Sequence, residues 1–321
     1  MSDSQEIALT LRIARAVDVA EGIRSFELVN PQGGPLPAFT PGAHVRLRTP
    51  AGAVRKYSLC NDPAERDRYV IAVKRDGAGR GGSISMVDEA REGDLLNVSE
   101  PENAFRMSRG AHSYLFIAGG IGITPILSMI RSLQEQPEAK WRLLYLSRSA
   151  AGTPFVDELG ALDAGAQVRI HHDEGDPSRA LDLWPWLEKP QPNQHIYCCG
   201  PRPLMDAVKD MSGHWAAGRV HFESFTDGSV PRKNDHAFVV HLARSQKTVA
   251  VLVGQSILEA VRSAGCQVAA SCESGTCGTC RTVLVAGDAD HRDMVLMPEE
   301  HASQIMVCVS RAAGNDLTLD L

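Results

Sequence analysis

The chain has 321 residues, a length that points to two or three domains rather than one core. A net charge of −6 argues against a nucleic-acid binder, and there is no low-complexity tract or internal repeat. The N-terminus, Met1-Ser2-Asp3-Ser4-Gln5-Glu6, has no basic then apolar leader, and no apolar run approaches a membrane span, so a cytoplasmic chain without a membrane partner is expected. A monomer is the expectation for its assembly, which no feature of the sequence decides.

From about Leu9 to Glu100 the pattern is one of short strands. Val45 to Arg48 and Tyr69 to Val73 alternate or run apolar between turns such as Asn30-Pro31-Gln32-Gly33-Gly34 and Ala51-Gly52. Such a segment predicts an antiparallel β-barrel. Arg55-Lys56-Tyr57-Ser58 follows a predicted strand, and Gly79-Arg80-Gly81-Gly82-Ser83-Ile84-Ser85 leads into a helical stretch from Ile84 to Ala90. Tyr57 can lie flat on a planar ring, Ser58 can hydrogen-bond a ring heteroatom, and Arg55 with the amides of Gly82 and Ser83 suits a phosphate. By spacing alone, a flavin site and an ordinary strand and turn both remain open.

From about Ser113 to Ser224 strands alternate with helices: Ser113 to Ala118, a helix from Pro125 through Leu133, then Trp141 to Leu146, Val168 to His172, and His195 to Cys199. This is the signature of a parallel α/β domain. Two strand ends carry glycine turns that open helices, Gly119-Gly120-Ile121-Gly122-Ile123-Thr124-Pro125 and Cys198-Cys199-Gly200-Pro201. Both are expected at the carboxyl edge of one sheet, where such sheets bind nucleotides, although neither is the G-x-G-x-x-G fingerprint. Asp173, after another strand, suits a ribose hydroxyl and repels a 2′-phosphate, while Ser147-Arg148, after a strand, suits a 2′-phosphate, so by these residues NADH and NADPH both remain open. His171 and His172 point to opposite faces of a strand and do not share an ion. They read as structural or solvent-facing, as do His291 and His301.

Residues 226–235 are polar and turn-rich and form the expected linker. Beyond it come two strands, a helix from Ser256 to Ser263, and Cys272-Glu273-Ser274-Gly275-Thr276-Cys277-Gly278-Thr279-Cys280, with Cys308 far downstream. C-x4-C-x2-C with a distant fourth cysteine is the plant-type [2Fe-2S] ligand pattern. Gly275 and Gly278 let the loop turn tightly around a cluster. Disulfides and a structural zinc site are the competing readings. The first needs an oxidising compartment that no leader supports, and the second favours two C-x2-C knuckles where one is present.

Taken together these residues resemble the phthalate dioxygenase reductase family, the class IA reductases of Rieske non-haem iron oxygenases within the ferredoxin–NADP reductase superfamily. The resemblance covers essentially the whole chain and implies an FMN-binding barrel (1–103), an NAD-binding α/β domain (104–225), the linker, and a β-grasp [2Fe-2S] ferredoxin domain (236–321). It carries the flavin set onto Arg55, Lys56, Tyr57, Ser58, Ala72, Val73, Lys74, Gly81, Gly82, Ser83 and Ile84. The nicotinamide set falls on Gly120, Ile121, Gly122, Thr124, Asp173, Cys199 and Gly200. Phe225, in Glu223-Ser224-Phe225, is the implied aromatic near the flavin, and Cys199 matches a cysteine close to the hydride-donating carbon. Ser58, Cys199 and Phe225 are therefore the implied residues of the hydride step, and Cys272, Cys277, Cys280 and Cys308 the iron ligands.

A hydride carries two electrons and a [2Fe-2S] cluster accepts one, so a chain with both sites needs a flavin between them. The implied activity is NADH-dependent electron delivery to a terminal Rieske oxygenase in aromatic catabolism, with the NADH preference set by resemblance. A cytochrome P450 acceptor keeps the same cofactors, and a redox sensor is the reading from another class. Asp290-His291-Arg292-Asp293 is a candidate to dock the partner.

Overall fold

In the computed structural model, residues 7–162, 167–216, 218–225 and 232–321 are described. The chain divides into two compact units, Met1–His221 and Phe222–Leu321. The first unit holds both the expected barrel and the expected parallel sheet.

The barrel strands are β1 (Leu9–Ala20), β2 (Ile23–Val29), β3 (His44–Arg48), β4 (Val54–Ser58), β5 (Arg68–Lys74) and β6 (Leu95–Val98), with helix α1 (Gly82–Asp88) between the last two. Their order is β4-β3-β6-β1-β2-β5, all antiparallel. Alternation explains the closed core, since Phe26 and Leu28 point inward while Ser25 and Glu27 do not. The sheet closes on itself where the Leu59–Ile71 bridge and the Cys60 N–H, donating to the Val70 carbonyl at 2.9 Å, join the ends of β4 and β5. Arg55 to Ser58 thus lies inside β4, paired with β3, rather than after a strand. Helix α1 starts two residues earlier than the expected Ile84.

The parallel sheet runs β11-β10-β7-β8-β9, formed by β7 (Ser113–Gly119), β8 (Lys140–Ser147), β9 (Val168–His172), β10 (Gln194–Cys199) and β11 (Val220–Glu223). All of β7 after Ser113 is buried, as a strand covered on both faces must be. Helix α2 (Ile123–Leu133) leaves β7 through a single 3-10 turn at Gly120–Gly122, ahead of the expected start at Pro125. Proline is tolerated there because the first-turn N–H groups have no partner inside the helix. Helices α3 (Val156–Leu162), α4 (Trp184–Leu187) and α5 (Arg202–Met211) complete this part.

In the second unit, β12 (Phe238–Leu242), β13 (Lys247–Val251), β14 (Arg281–Ala286), β15 (Ala289–Asp290), β16 (Gln304–Met306), β17 (Arg311–Ala312) and β18 (Asp316–Leu319) surround α6 (Ile257–Ser263). The main sheet, β13-β12-β18-β14-β16, has the parallel β12–β18 pair at its centre, the mixed arrangement of a β-grasp. Helix α6 starts on a capping box in which Ser256 and Glu259 satisfy each other's backbone N–H groups. Among the described residues, no helix is long and apolar enough to cross a membrane.

Candidate functional site

Two sets of predicted residues meet at the barrel seam. Strand β4 brings Arg55, Lys56, Tyr57 and Ser58, and its neighbour across the seam, β5, brings Ala72, Val73 and Lys74. Arg55 lies directly over Gly82, where an added Cβ would sit 3.1 Å from the Arg55 Nε. Gly81, at φ +83°, turns the chain into α1 so that Gly82, Ser83 and Ile84 follow beside that guanidinium. Ser58 is buried and the Tyr57 hydroxyl is buried without a partner, which costs free energy unless a group supplies one. Burial raises the Tyr57 pKa to about 12, against the pull of Arg55, so the phenol stays neutral. An orphaned phenol, a basic guanidinium and a glycine-lined turn suit a planar ring carrying a phosphate. FMN fits these residues.

The nicotinamide set is equally compact. Strands β7 and β10 are in register, with Ala118 opposite Cys199, so both glycine turns emerge at one carboxyl edge. They touch. A Cβ on Gly119 would fall 2.5 Å from Pro201 Cδ, and one on Gly200 would fall 2.9 Å from Gly119 Cα. Gly120 needs its positive φ of +54°, and Thr124 is tied back through its hydroxyl to the Ile121 carbonyl at 3.0 Å. The Gly120–Gly122 turn also packs on β5, which brings the nicotinamide set against the flavin set within the first unit. Cys199 is fully buried in the core that holds Phe116 and Ile123.

In the second unit the cysteines converge as their spacing predicts. Cys280 and Cys308 sulfurs stand 3.1 Å apart. Cys272 Sγ accepts from the N–H groups of Ser274 and Thr276, each at 3.4 Å, and Thr279 Oγ1 lies 3.2 Å from Cys277 Sγ. Thiols this close drive one another apart in pKa. Cys272 is lowered first by its contacts with Cys277 and Cys308, whereas Cys308 is raised by Cys272 and Cys280. Only cationic metal lets all four ionise together, and amide N–H groups already face the sulfurs, so an iron–sulfur cluster fits. Gly275, at φ +75°, has no room for a side chain, since a Cβ would meet Val309 Cγ2 at 2.6 Å.

Residues 240–313 match the 2Fe-2S iron–sulfur cluster binding domain family, and residues 116–210 the oxidoreductase NAD-binding domain family. The chain is 52% identical to the phthalate dioxygenase reductase of Burkholderia cepacia over 98% of its own length and 97% of that protein's. The chain belongs to the phthalate dioxygenase reductase family. A solved structure of a phthalate dioxygenase reductase, described as modular for electron transfer from pyridine nucleotides to [2Fe-2S], matches with TM-score 0.72 and 52% identity, covering 98% of each chain. An intact type IV self-sufficient cytochrome P450 monooxygenase matches with TM-score 0.70 and 34% identity, over 97% of this chain and 41% of that one. The reductase is an oxidoreductase whose cofactors are FMN, NADH and a [2Fe-2S] cluster.

Asp173 follows β9, accepts from the Gly175 N–H at 2.8 Å and donates its own N–H to the Ser147 carbonyl. Phe225 is 47% exposed just past β11. His171 meets the Arg179 carbonyl and His172 the Ser147 hydroxyl, separate partners as opposite strand faces require. His291 and His301 stack with centroids 4.0 Å apart, a structural pair.

The docking expectation for Asp290 to Asp293 needs correction. Asp293 is buried and caps the N–H groups of Val295 and Leu296, and buried Arg292 pairs with Asp235 and Asp290. Arg292 and Asp293 hold the cluster segment together and are not presented to a partner, while the Asp290 side chain stays 37% exposed.

The expected linker lies outside the described residues from 226 to 231. Its far end, Arg232 to Asp235, forms a turn, and the Asp235 side chain is 4% exposed. Sequence reasoning also missed Glu273, which holds a left-handed φ of +56° beside Cys272 and pairs with Arg262 at 2.8 Å. Its place between two ligands in a glycine-rich loop was the available signal.

Proposed function

We propose that this reductase takes a hydride from NADH and passes single electrons to a terminal Rieske-type oxygenase. The observation that supports the reading is the packing of the Gly120–Gly122 turn on β5, because a nicotinamide held at that turn would meet a flavin held along β4 and β5. FMN, when bound, accepts the hydride's electron pair and releases it singly to the cluster.

The chain's own residues supply position and charge. Arg55 with the Gly82 and Ser83 amides holds the FMN phosphate. Tyr57 covers the ring, its neutral hydroxyl finding a partner there, and Ser58, Ala72, Val73, Lys74 and Ile84 complete the cradle. Gly120 leaves open space for the dinucleotide backbone, Gly122 and Gly200 let the two turns cross closely beneath it, and Ile121 and Thr124 complete the turn. Cys199 packs beneath the nicotinamide, Asp173 favours NADH over NADPH, and Phe225 is the aromatic of the hydride step. Cys272, Cys277, Cys280 and Cys308 carry the irons, with the Ser274 and Thr276 amides spreading the cluster's charge.

The domains serving these roles are 1–103, 104–225 and 236–321, with a cytoplasmic monomer as the working unit and neither nucleic acid nor membrane as partner. A second acceptor, a cytochrome P450, is favoured by the likeness to the fused P450 enzyme. Anaerobic NADH titration followed by absorbance and electron paramagnetic resonance tests the core of the reading. Flavin bleaching should come with a rhombic reduced-cluster signal, and a cluster that stays oxidised would sink it. Comparing a Rieske oxygenase with a P450 as electron acceptor separates the two partners.

A further inference from the structure

Helix α2 begins at the nicotinamide turn and carries Arg131 on its last turn, 7 residues beyond Thr124, or about 10 Å along the axis. Arg131 does not face solvent alone. Its Nε and Nη2 form a fork on Glu158 of α3, at 2.7 Å each, and its Nη1 donates to the Cys60 carbonyl. Cys60 lies two residues past Ser58, at the point where β4 leaves the barrel and is bridged to β5. Its side chain is fully buried among Ile123, Ile126, Met129 and Ile130, the core beneath the nicotinamide turn. A second contact supports the same joint, since a Cβ on Gly42 would lie 2.3 Å from the Phe105 carbonyl oxygen and 2.8 Å from Met129 Cε. Apolar packing therefore presses the two halves of the first unit together, and Arg131 is the directional bond across the joint.

From this geometry we infer that Arg131 is a positioning residue for hydride transfer. It fixes the end of the flavin strand at Cys60 against the helix that begins at the nicotinamide turn. The step concerned oxidises NADH to NAD+ while FMN takes up the hydride. The inference rests on the functional reading above, with flavin at Arg55 to Ser58 and nicotinamide at Gly120 to Thr124. Arg131 touches neither cofactor site; it acts through the Cys60 carbonyl and α2. Three N–H groups in a rigid fork hold two carboxylate oxygens and one carbonyl at once, which the single ammonium of a lysine does not reproduce. Losing the fork leaves the apolar docking in place and frees the two sites to shift by a fraction of an ångström. Hydride transfer is steeply sensitive to such a shift.

The test is anaerobic stopped-flow reduction of the holoenzyme by NADH and by NADH deuterated at the transferred position, for wild type, R131K, R131M and E158Q. The expected result is a limiting rate of flavin reduction about 10- to 100-fold lower in R131M, less reduced in R131K and E158Q, with a changed isotope effect. The NADH dissociation constant from the same traces should stay within about two-fold of wild type, because the nicotinamide turn is untouched. Wild-type limiting rates and isotope effects in R131K and R131M would overturn the inference. Loss of FMN from R131M while R131K and E158Q keep the wild-type rate would also overturn it, as that is a structural role only. If the wild-type flavin itself were not reduced by NADH, the functional reading would fail, an outcome separate from either variant result.

Discussion

Gly122 faces the Cys199 carbonyl so closely that a Cβ on the glycine would fall 2.1 Å from that oxygen. Both contacting atoms belong to backbone, at the crossing of the two turns, so neither can swing aside. Gly122→Ala is therefore expected to cost about 3 kcal/mol or more and to weaken NADH binding. Gly120 supplies the contrast. Nothing lies within 4 Å of its added Cβ, and only its φ of +54° penalises alanine, by about 1–2 kcal/mol. Thermal melts and NADH titrations of the two variants should rank Gly122→Ala as the worse in both. The reverse ranking would mean that the turns are not locked together.

Gly275 plays the same part in the cluster loop, where a side chain would have to displace Val309 Cγ2 from 2.6 Å away, one residue after Cys308. Gly275→Ala should lower cluster content, read as visible absorbance and iron per chain, while NADH still bleaches the flavin at the normal rate. Reduction of cytochrome c should fall in proportion to the missing cluster. Full cluster content in this variant would show that the loop has slack that the contacts do not suggest.

Features encoded in short spans were legible in the sequence. The cysteine spacing, the paired glycine turns and the strand alternation each reflect a local geometric demand, and the structure gathers those residues as expected. Long-range polar pairs were not. Asp235 and Arg292 are 57 positions apart, and each resembles a surface charge in composition. That is why Asp235 read as linker and Asp290 to Asp293 as a docking face. Arg131 was silent for the same reason, because its fork partners Glu158 and the Cys60 carbonyl carry no periodic signal.

His195 and His221 share a 3.0 Å contact between ring nitrogens, and the His221 ring stacks on Tyr197 with centroids 4.4 Å apart. Burial, and next the neighbouring His195, lowers the His221 pKa to about 4. The folded value lies below the unfolded one near 6.5. The neutral form therefore contributes stability that is fully present above pH 6.5 and is lost as the pH falls towards 4. The loss from this residue should be at most about 3 kcal/mol. His221→Phe keeps the stack without the titration, so urea denaturation should show a shallower acid slope between pH 6.5 and 4. Parallel slopes for the two proteins would assign the acid sensitivity elsewhere.

Asp235 reaches both Arg292, at 2.6 Å, and Arg311, at 3.8 Å, and Arg311 lies three residues beyond Cys308. The hydrogen bond from Arg292 holds the Asp235 pKa down to about 2, against the cost of burial. Depressed below the unfolded carboxylate near 3.9, the charged form contributes stability above that pH, and the contribution disappears as the pH falls through 2. Asp235→Asn keeps the shape and removes the charge, leaving two buried guanidinium groups under-compensated. At neutral pH it should cost about 3 kcal/mol, with bleaching of the cluster absorbance reporting the melt. Between pH 4 and 2 the gap to wild type should narrow, because the wild-type carboxylate is then being protonated as well. A gap that persists unchanged to pH 2 would mean that Asp235 holds the segment by shape and hydrogen bonding rather than by charge.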